Sequence, residues 1–312
     1  MERITVVGAG HVGASVAQRI AERELAREVL LVDIIDGLAQ GKGLDQWESA
    51  PVEGFDTRVR GMATYEETAG SGLYVVTAGL ARKPGMSRSD LVTKNEVIVQ
   101  GIARQIAEHS PDSIILMVTN PLDAMAYVAM RETGFPRERV IGMAGILDTA
   151  RFRSFIALEL DVSVEDVQAL VLGGHGDSMV PLVSSVFVGG IPLDQLLGRD
   201  RVDAIVERTR KGGGEIVALL KEGSAYYAPS AAVVQMCESI VRDKKRVLPC
   251  SVWLTGEYGL TDVFLGVPCK LGRTGVEEVY EVVLTDDERA ALGNSAVEVR
   301  ETMAALVGGT AA

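Results

Sequence analysis

In the first half of the chain, short runs of β-branched and aliphatic residues alternate with longer segments whose apolar positions recur every three or four residues. The short runs are apolar at every position, which is typical of parallel strands that helices cover on both faces. They predict strands at 4–7, 29–32, 73–77, 114–118 and 140–143, and the longer segments predict helices at 13–23, 41–49, 90–108 and 122–133. This alternation predicts a doubly wound parallel sheet of the α/β class.

The pattern changes near residue 145. A helix is predicted at 147–160, strands at 167–172, 183–188, 248–254, 263–271 and 276–283, and a long helical region at 202–241. Three consecutive glycines, Gly212 to Gly214, and Pro229 predict a break or kink in that region, because neither residue type favours a helix interior. A final helix opens at Thr285 with the spacing of a capping box. We expect two domains, 1–145 and an α+β domain at 146–312.

Composition and charge narrow the classes of protein to which the chain can belong. Its 312 residues are 47% hydrophobic and 24% charged, as in ordinary soluble globular proteins. The net charge of −12 repels phosphate backbones, and the nearest basic cluster, at 242–246, is short and interrupted, so no nucleic-acid partner is expected. Neither a membrane span nor a signal peptide is recognised. Three cysteines without metal-ligand spacing predict a reduced, cytoplasmic protein without a metal site.

A glycine-rich turn follows the first predicted strand and opens the first predicted helix. It consists of Gly8, Ala9, Gly10, His11, Val12 and Gly13, and Asp33 ends the second strand twenty residues later. Glycines in this context let the backbone approach a pyrophosphate at a helix N-terminus, and the carboxylate bonds the ribose hydroxyls of NAD while repelling the 2′-phosphate of NADP. The turn and Asp33 therefore predict an NAD site and a Rossmann domain at 1–145, with His11 incidental to the chemistry.

One histidine among glycines is the candidate for proton transfer. His175 lies in Leu172-Gly173-Gly174-His175-Gly176-Asp177, where small neighbours leave the imidazole open to substrate and cofactor. Asp148 and Arg151 are spaced i, i+3 and share one helix face. If they face inward, Asp148 orients His175 and Arg151 grips a carboxylate bidentately. The alternatives are a buried structural histidine and a surface ion pair.

A basic loop and an Asn-Pro turn complete the candidate site. The loop at 77–88 leaves a strand end with three cations, Arg82, Lys83 and Arg88, and could close over an anionic substrate. Its alternative is a solvated basic loop. Asn120 follows another strand, where its amide could contact substrate or the nicotinamide side, or simply form a strand-to-helix turn.

Six motifs in order resemble the lactate/malate dehydrogenase superfamily, and within it the lactate-dehydrogenase-like malate dehydrogenases of bacteria: GAGHVG, LLVD, TAGLARKPGMSR, VTNP, GILDTARFR and GGHGD. The resemblance implies NAD-dependent, reversible oxidation of malate to oxaloacetate in a homo-oligomer, more often a tetramer than a dimer. By position it implies the following roles: His175 is the general acid/base, Asp148 its partner, Arg151 a carboxylate ligand, Arg88 the group that polarises the carbonyl, Asn120 a substrate and cofactor contact, Arg82 the specificity residue, and Asn95 and Val118 cofactor contacts.

Arg82 favours malate over lactate on physical grounds. Oxaloacetate carries a second carboxylate where pyruvate has a methyl, and an unpaired buried charge costs several kcal/mol, whereas Arg82 makes a charge-assisted pair. Lactate enzymes usually have Gln at this position, and Thr where this chain has Ala225. Two alternatives stay open. One is a lactate or other 2-hydroxyacid dehydrogenase, and the other is a nucleotide sensor without turnover, which would not need His175, Asp148 and both arginines together.

Overall fold

A computed structural model describes residues 1–80 and 88–306, with only the backbone of residues 88 and 89. The first half alternates strands and helices as expected. Its elements are β1 (Arg3–Val7), α1 (His11–Glu22), β2 (Glu28–Val32), α2 (Leu38–Glu53), β3 (Arg58–Met62), β4 (Leu73–Val76), α3 (Arg88–His109), β5 (Ile114–Met117), α4 (Leu122–Thr133) and β6 (Val140–Gly142).

The second half mixes helices with short strands and one long antiparallel hairpin. Its elements are α5 (Gly145–Leu160), β7 (Val167–Gln168), β8 (Val171–Leu172), β9 (Val180–Pro181), β10 (Phe187–Val188), β11 (Ile191–Pro192), α6 (Arg199–Leu220), α7 (Tyr227–Val241), β12 (Arg246–Thr255), β13 (Thr261–Gly272), β14 (Gly275–Val279) and α8 (Asp286–Ala304). The strand expected at 167–172 is divided between β7 and β8. Of the strand expected at 183–188, Val183–Ser185 form a 3₁₀ turn and Phe187–Val188 form β10.

A nine-stranded sheet with the order β14-β13-β12-β6-β5-β4-β1-β2-β3 forms the centre of the molecule. The six strands from β3 to β6 pair in parallel, which confirms the doubly wound sheet. The antiparallel strands of the second half continue the same sheet, because Ser251 of β12 pairs with Gly142 of β6. The division into domains at 145/146 stays a prediction.

The hydrophobic core lies on both faces of this sheet. Val75 belongs to a cluster with residues of α1 and α7 such as Ile20 and Met236. Its neighbour Val76 packs instead with residues of α3 and α4. Alternate strand residues point to opposite faces, so both must be apolar, and each buried valine contributes about 1.5–3 kcal/mol. No helix within residues 1–80 and 88–306 is long and apolar enough to cross a membrane.

The triple glycine does not break the helix that contains it. α6 runs unbroken through Gly212 to Gly214, and the helical region is interrupted only after Leu220, where Lys221 adopts a positive φ of 63°. Pro229 lies in the first turn of α7, where a helix has no intrahelical partner for its N–H groups anyway. The break expected at the glycines is therefore displaced by several residues, and Gly212 lies against the side chain of Arg151.

Candidate active site

The carboxyl ends of β1, β4 and β5 lie next to one another. Thr119, after β5, donates from its hydroxyl to the carbonyl of Ala78, after β4, at 2.7 Å. Ala78 in turn touches the glycine turn after β1, because a Cβ on Gly8 would lie 2.6 Å from the Ala78 nitrogen. Ligands of open parallel sheets bind at such an edge.

The geometry of the glycine turn suits a pyrophosphate. Gly8 has a φ of +102°, which L side chains rarely adopt, and a Cβ on Gly13 would collide with the Gly8 carbonyl oxygen. Gly10, by contrast, is exposed and has open space where a Cβ would be. No side chain caps the N-terminus of α1 at Gly10, so the first turn of that helix offers its N–H groups to an anion.

Asp33 is fixed at the end of β2 next to this turn. Its Oδ2 accepts a hydrogen bond from the Ala9 N–H at 2.7 Å, and its Oδ1 accepts one from the Ile35 N–H at 3.0 Å. Lys42 of α2, which the sequence did not single out, donates to the Ala9 carbonyl at 2.7 Å. A carboxylate held here fits the ribose hydroxyls of NAD and disfavours a 2′-phosphate.

The remaining residues of the turn are positioned by packing. Ala9 is buried and Val12 is half-buried. His11 stacks on Tyr226, with ring centroids 5.0 Å apart, and so connects the start of α1 to the segment before α7. The ring of His11 thus has a packing role in the fold.

His175 is paired with a buried carboxylate. Its Nδ1 lies 2.9 Å from Oδ2 of Asp148, which leaves Nε2 as the ring nitrogen for proton transfer. Burial alone would lower the pKa of His175, but the charge and hydrogen bond of Asp148 and the charge of Asp123 outweigh it and raise that pKa. A raised pKa favours the protonated imidazole, which is the form that donates a proton.

Arg151 shares the same carboxylate. Its Nη1 donates to Oδ1 of Asp148 at 3.1 Å. One oxygen of Asp148 thus bonds the imidazole of His175, and the other bonds the guanidinium of Arg151. The Arg151 side chain is 13% exposed. Its buried Nε has no acceptor among the residues that the structure describes. A nearly buried guanidinium with one unsatisfied N–H fits a carboxylate ligand.

Asn95 holds the start of the basic loop against the end of β5. Its buried amide donates to the carbonyls of Asn120 at 2.6 Å and Leu80 at 3.1 Å, and accepts from the Leu80 N–H at 2.7 Å. The Asn120 side chain is exposed, whereas Val118 is buried. The contacts of these residues with substrate or cofactor stay predictions.

For two of the predicted arginines, Arg82 and Arg88, the structure describes no side chain. Arg82 lies outside the described residues, and α3 begins at Arg88, whose side chain lies outside them as well. The predicted specificity role of Arg82 and the carbonyl-polarising role of Arg88 therefore stay predictions.

Comparisons with known proteins identify the family of the chain. Two family models match the chain: the NAD binding domain of lactate/malate dehydrogenase at residues 2–142, and the alpha/beta C-terminal domain of the same family at residues 146–307. The chain belongs to the lactate/malate dehydrogenase family. The expected Rossmann fold and NAD dependence are thereby confirmed, and this family member is an oxidoreductase.

Similar proteins cover nearly the whole chain. It is 61% identical to a malate dehydrogenase of Chloroherpeton thalassium over 96% of this chain and 97% of that one. It is 54% identical to one of Bacillus subtilis over 98% of each. The malate dehydrogenase structure from Salinibacter ruber matches with a TM-score of 0.93 at 55% identity, covering 97% of both chains. A lactate dehydrogenase from Cryptosporidium parvum, complexed with lactic acid and cofactor, reaches 0.94 at 39% identity, covering 97% of this chain and 96% of that one. The shared backbone therefore does not separate the two activities.

Two polar residues that support the histidine loop, residues 173–177 after β8, were not among the predicted site residues. Asp123 accepts from the His175 N–H at 2.9 Å, and Ser295 accepts from the Gly174 N–H at 2.8 Å. A carboxylate in the first turn of a helix after an Asn-Pro pair was a usable signal for Asp123. Ser295 lies in the middle of α8 with no local signal at all.

Proposed function

We propose that this family member is a malate dehydrogenase, which transfers hydride reversibly between (S)-malate and NAD and gives oxaloacetate and NADH. The observation that carries the proposal is the buried carboxylate of Asp148, bonded on one oxygen to His175 and on the other to Arg151. It joins a proton-transfer group and an anion-binding group, which is what oxidation of a hydroxy acid requires. The names and high identity of the relatives support the choice of malate.

The catalytic steps follow from the chemistry of these side chains. His175 accepts the hydroxyl proton of malate on Nε2, and Asp148 stabilises the imidazolium that forms. Arg151 binds the carboxylate next to the reacting carbon through its planar fork. NAD, when bound, supplies the hydride acceptor. In the reverse direction, protonated His175 donates its proton to the carbonyl oxygen of oxaloacetate.

The basic loop supplies the remaining positive charge in this proposal. Arg82 pairs with the second carboxylate of malate, and Arg88 polarises the carbonyl of oxaloacetate. Closure of the loop would expel water and strengthen both interactions. Asn120 contacts substrate and nicotinamide. The residues proposed to hold NAD are Gly8, Ala9, Gly10, His11, Val12, Gly13, Asp33, Asn95 and Val118, within an NAD-binding domain at 1–145, while 146–312 forms the substrate domain.

The test follows NADH absorbance with oxaloacetate and, separately, with pyruvate, for the wild type and for Arg82→Gln. We expect the wild type to prefer oxaloacetate strongly and the variant to lose that preference, since pyruvate leaves Arg82 unpaired. A wild type that prefers pyruvate would overturn the assignment of malate. NADH binding without turnover of either substrate would instead support the nucleotide sensor.

Lactate oxidation is the second candidate, because a lactate dehydrogenase matches the chain's backbone as well as the malate dehydrogenases do. The same substrate panel decides between them. Oxamate, an analogue of pyruvate, gives a second readout. We expect it to inhibit the Arg82→Gln variant more strongly than the wild type, and the opposite order would favour lactate.

We also propose a homotetramer that acts in the cytoplasm, in the tricarboxylic acid cycle. Support for an assembly comes from α2, where Leu44 and Val52 are 58% and 86% exposed and Trp47 is exposed beside them. Such apolar surface is typical of a face that another subunit covers. Light scattering should give four times the subunit mass of 33.2 kDa. A monomer mass would contradict the assembly, and Trp47→Glu should weaken it if α2 takes part.

A further inference from the structure

A second buried carboxylate lies beside the candidate histidine. Asp123, in the first turn of α4, is 7% exposed. Its Oδ2 accepts from the His175 backbone N–H at 2.9 Å, and its Oδ1 accepts from the Ser251 hydroxyl at 2.6 Å. One side chain thus ties α4 of the first half to the histidine loop and to β12 of the second.

Several interactions partly offset the cost of burying a negative charge on Asp123. Burial raises the pKa of Asp123, and the hydrogen bonds from Ser251 and the His175 backbone and the charge of the His175 ring offset only part of that rise. The N-terminal turn of a helix favours an anion as well. A buried carboxylate that only anchored a loop could be replaced by a neutral acceptor at lower desolvation cost.

We propose that Asp123 is a positioning residue for His175, which fixes the backbone of the histidine and supplies a second negative charge that keeps the imidazole protonated for reduction. The inference rests on the proposed role of His175 as the general acid. It assigns to Asp123 an effect on the reaction that is separate from holding the loop in place.

Other groups around His175 define what Asp123 adds. Among the described residues, the charged groups that act on the ring are Asp148 and Arg151 on α5 and Asp123 on α4. Asp148 and Asp123 favour the imidazolium, whereas Arg151 disfavours it. Without Asp123, one carboxylate would face both cations, and the imidazolium would lose part of its stabilisation.

Ser295 provides a matched control on the same loop. It accepts the N–H of Gly174, the residue before His175, at 2.8 Å, and it carries no charge. Ser295→Ala therefore removes a hydrogen bond of the loop without altering its electrostatics. Asp123→Asn does the reverse, because an amide oxygen can accept from His175 and the amide N–H can donate to Ser251.

The first experiment compares pH profiles of kcat/KM for oxaloacetate reduction in the wild type, Asp123→Asn and Ser295→Ala. Reduction needs the protonated imidazole, so loss of the Asp123 charge should move the descending limb of the profile to lower pH. At pH 8 we expect a loss on the order of tenfold for Asp123→Asn, and a much smaller difference on the acidic plateau. Ser295→Ala should keep the wild-type midpoint, whatever its rate. An unchanged midpoint in Asp123→Asn would overturn the proposal.

The second experiment does not depend on turnover. The chain has three histidines, His11, His109 and His175, so NMR titration with labelled histidine resolves each ring, and His175→Asn identifies the relevant signal. We expect the His175 signal to titrate at lower pH in Asp123→Asn than in the wild type and Ser295→Ala. Equal titration in all three would overturn the proposal.

Asp123→Ser is a second neutral variant, should the Asn variant not fold. Absence of oxaloacetate turnover in the wild type would overturn the proposed function, while the NMR titration would still decide the charge effect of Asp123.

Discussion

Gly212 of α6 lies directly against the side chain of Arg151. A Cβ added at position 212 would be 3.2 Å from Cδ of Arg151, and one at Gly213 would be 3.7 Å from its Nη2. Position 214, one residue further, has open space. A Cβ at position 212 would therefore crowd the side chain of Arg151, whereas one at position 213 would be in ordinary van der Waals contact. Each glycine costs about 1 kcal/mol of helix stability relative to alanine.

The first prediction compares Gly212→Ala with Gly214→Ala. Both changes should favour the helix by up to about 1 kcal/mol, visible as a higher free energy of unfolding. Only Gly212→Ala should displace Arg151, and we expect KM for oxaloacetate to rise by roughly tenfold, since sub-ångström misplacement of a binding group costs heavily. Gly214→Ala should keep the wild-type KM. Equal KM values in both variants would show that the glycines do not set the position of Arg151.

The role of His175 is tested by His175→Asn, which keeps a hydrogen-bonding side chain of similar size. We expect kcat to fall by about 10²–10⁴-fold, the usual contribution of a general acid or base. NADH affinity, measured by fluorescence titration, should change little because the residues proposed to hold NAD include those of the Gly8–Gly13 turn and Asp33, and His175 is not among them. Parallel losses of turnover and of NADH binding would mean that the histidine is structural.

The direction of the His175 pKa shift predicts opposite pH profiles for the two directions of the reaction. The pKa is raised above the ordinary value of 6.5, despite burial, by Asp148 and Asp123. Reduction of oxaloacetate needs the protonated ring, so its kcat/KM should be flat at low pH and fall with a midpoint above 6.5. Oxidation of malate needs the neutral ring, so its kcat/KM should rise through the same region. If kcat/KM changed with pH in the same direction for both reactions, the result would be inconsistent with proton transfer by His175.

Much of the fold could be predicted because each element carries its own local pattern. Parallel strands such as β4 and β5 are apolar on both faces, and the capping box of Thr285 and Glu288 forms as expected. β3 escaped prediction because it is an edge strand whose arginines, Arg58 and Arg60, interrupt the apolar pattern. Gly212 of α6 was misinterpreted because the side chain that it packs against, Arg151, belongs to another helix.

The site shows the same division between local and long-range information. His175 was found through its glycine neighbours, and Asp148 and Arg151 through their spacing on one helix. Asp123 and Ser251 are 128 residues apart, and Gly174 and Ser295 are 121 apart. Pairings at such distances along the chain leave no periodic trace in a single sequence, so only the fold brings them together.

Substitution of Arg151 by lysine tests the shape of the anion-binding group. Arg151→Lys keeps the positive charge but loses the planar fork, including the buried Nε that lacks an acceptor among the described residues. We expect KM for oxaloacetate to rise by about tenfold or more, with KM for NADH unchanged. A wild-type KM for oxaloacetate in Arg151→Lys would show that Arg151 does not bind the substrate. The pairing of Arg151 with Asp148 alone would not explain a selective effect on oxaloacetate.

Cofactor selection is tested at Asp33, whose carboxylate is fixed by the N–H groups of Ala9 and Ile35. Asp33→Ser should raise KM for NADH, because the ribose hydroxyls lose a charged acceptor, and lower KM for NADPH, because repulsion of the 2′-phosphate is removed. Asp36→Asn is the control, since Asp36 is an exposed carboxylate three residues further along. If the two variants changed the ratio of kcat/KM with NADH to kcat/KM with NADPH equally, the preference for NADH would come from the overall negative charge at the end of β2. A change confined to Asp33→Ser assigns the choice of cofactor to one carboxylate at the end of β2.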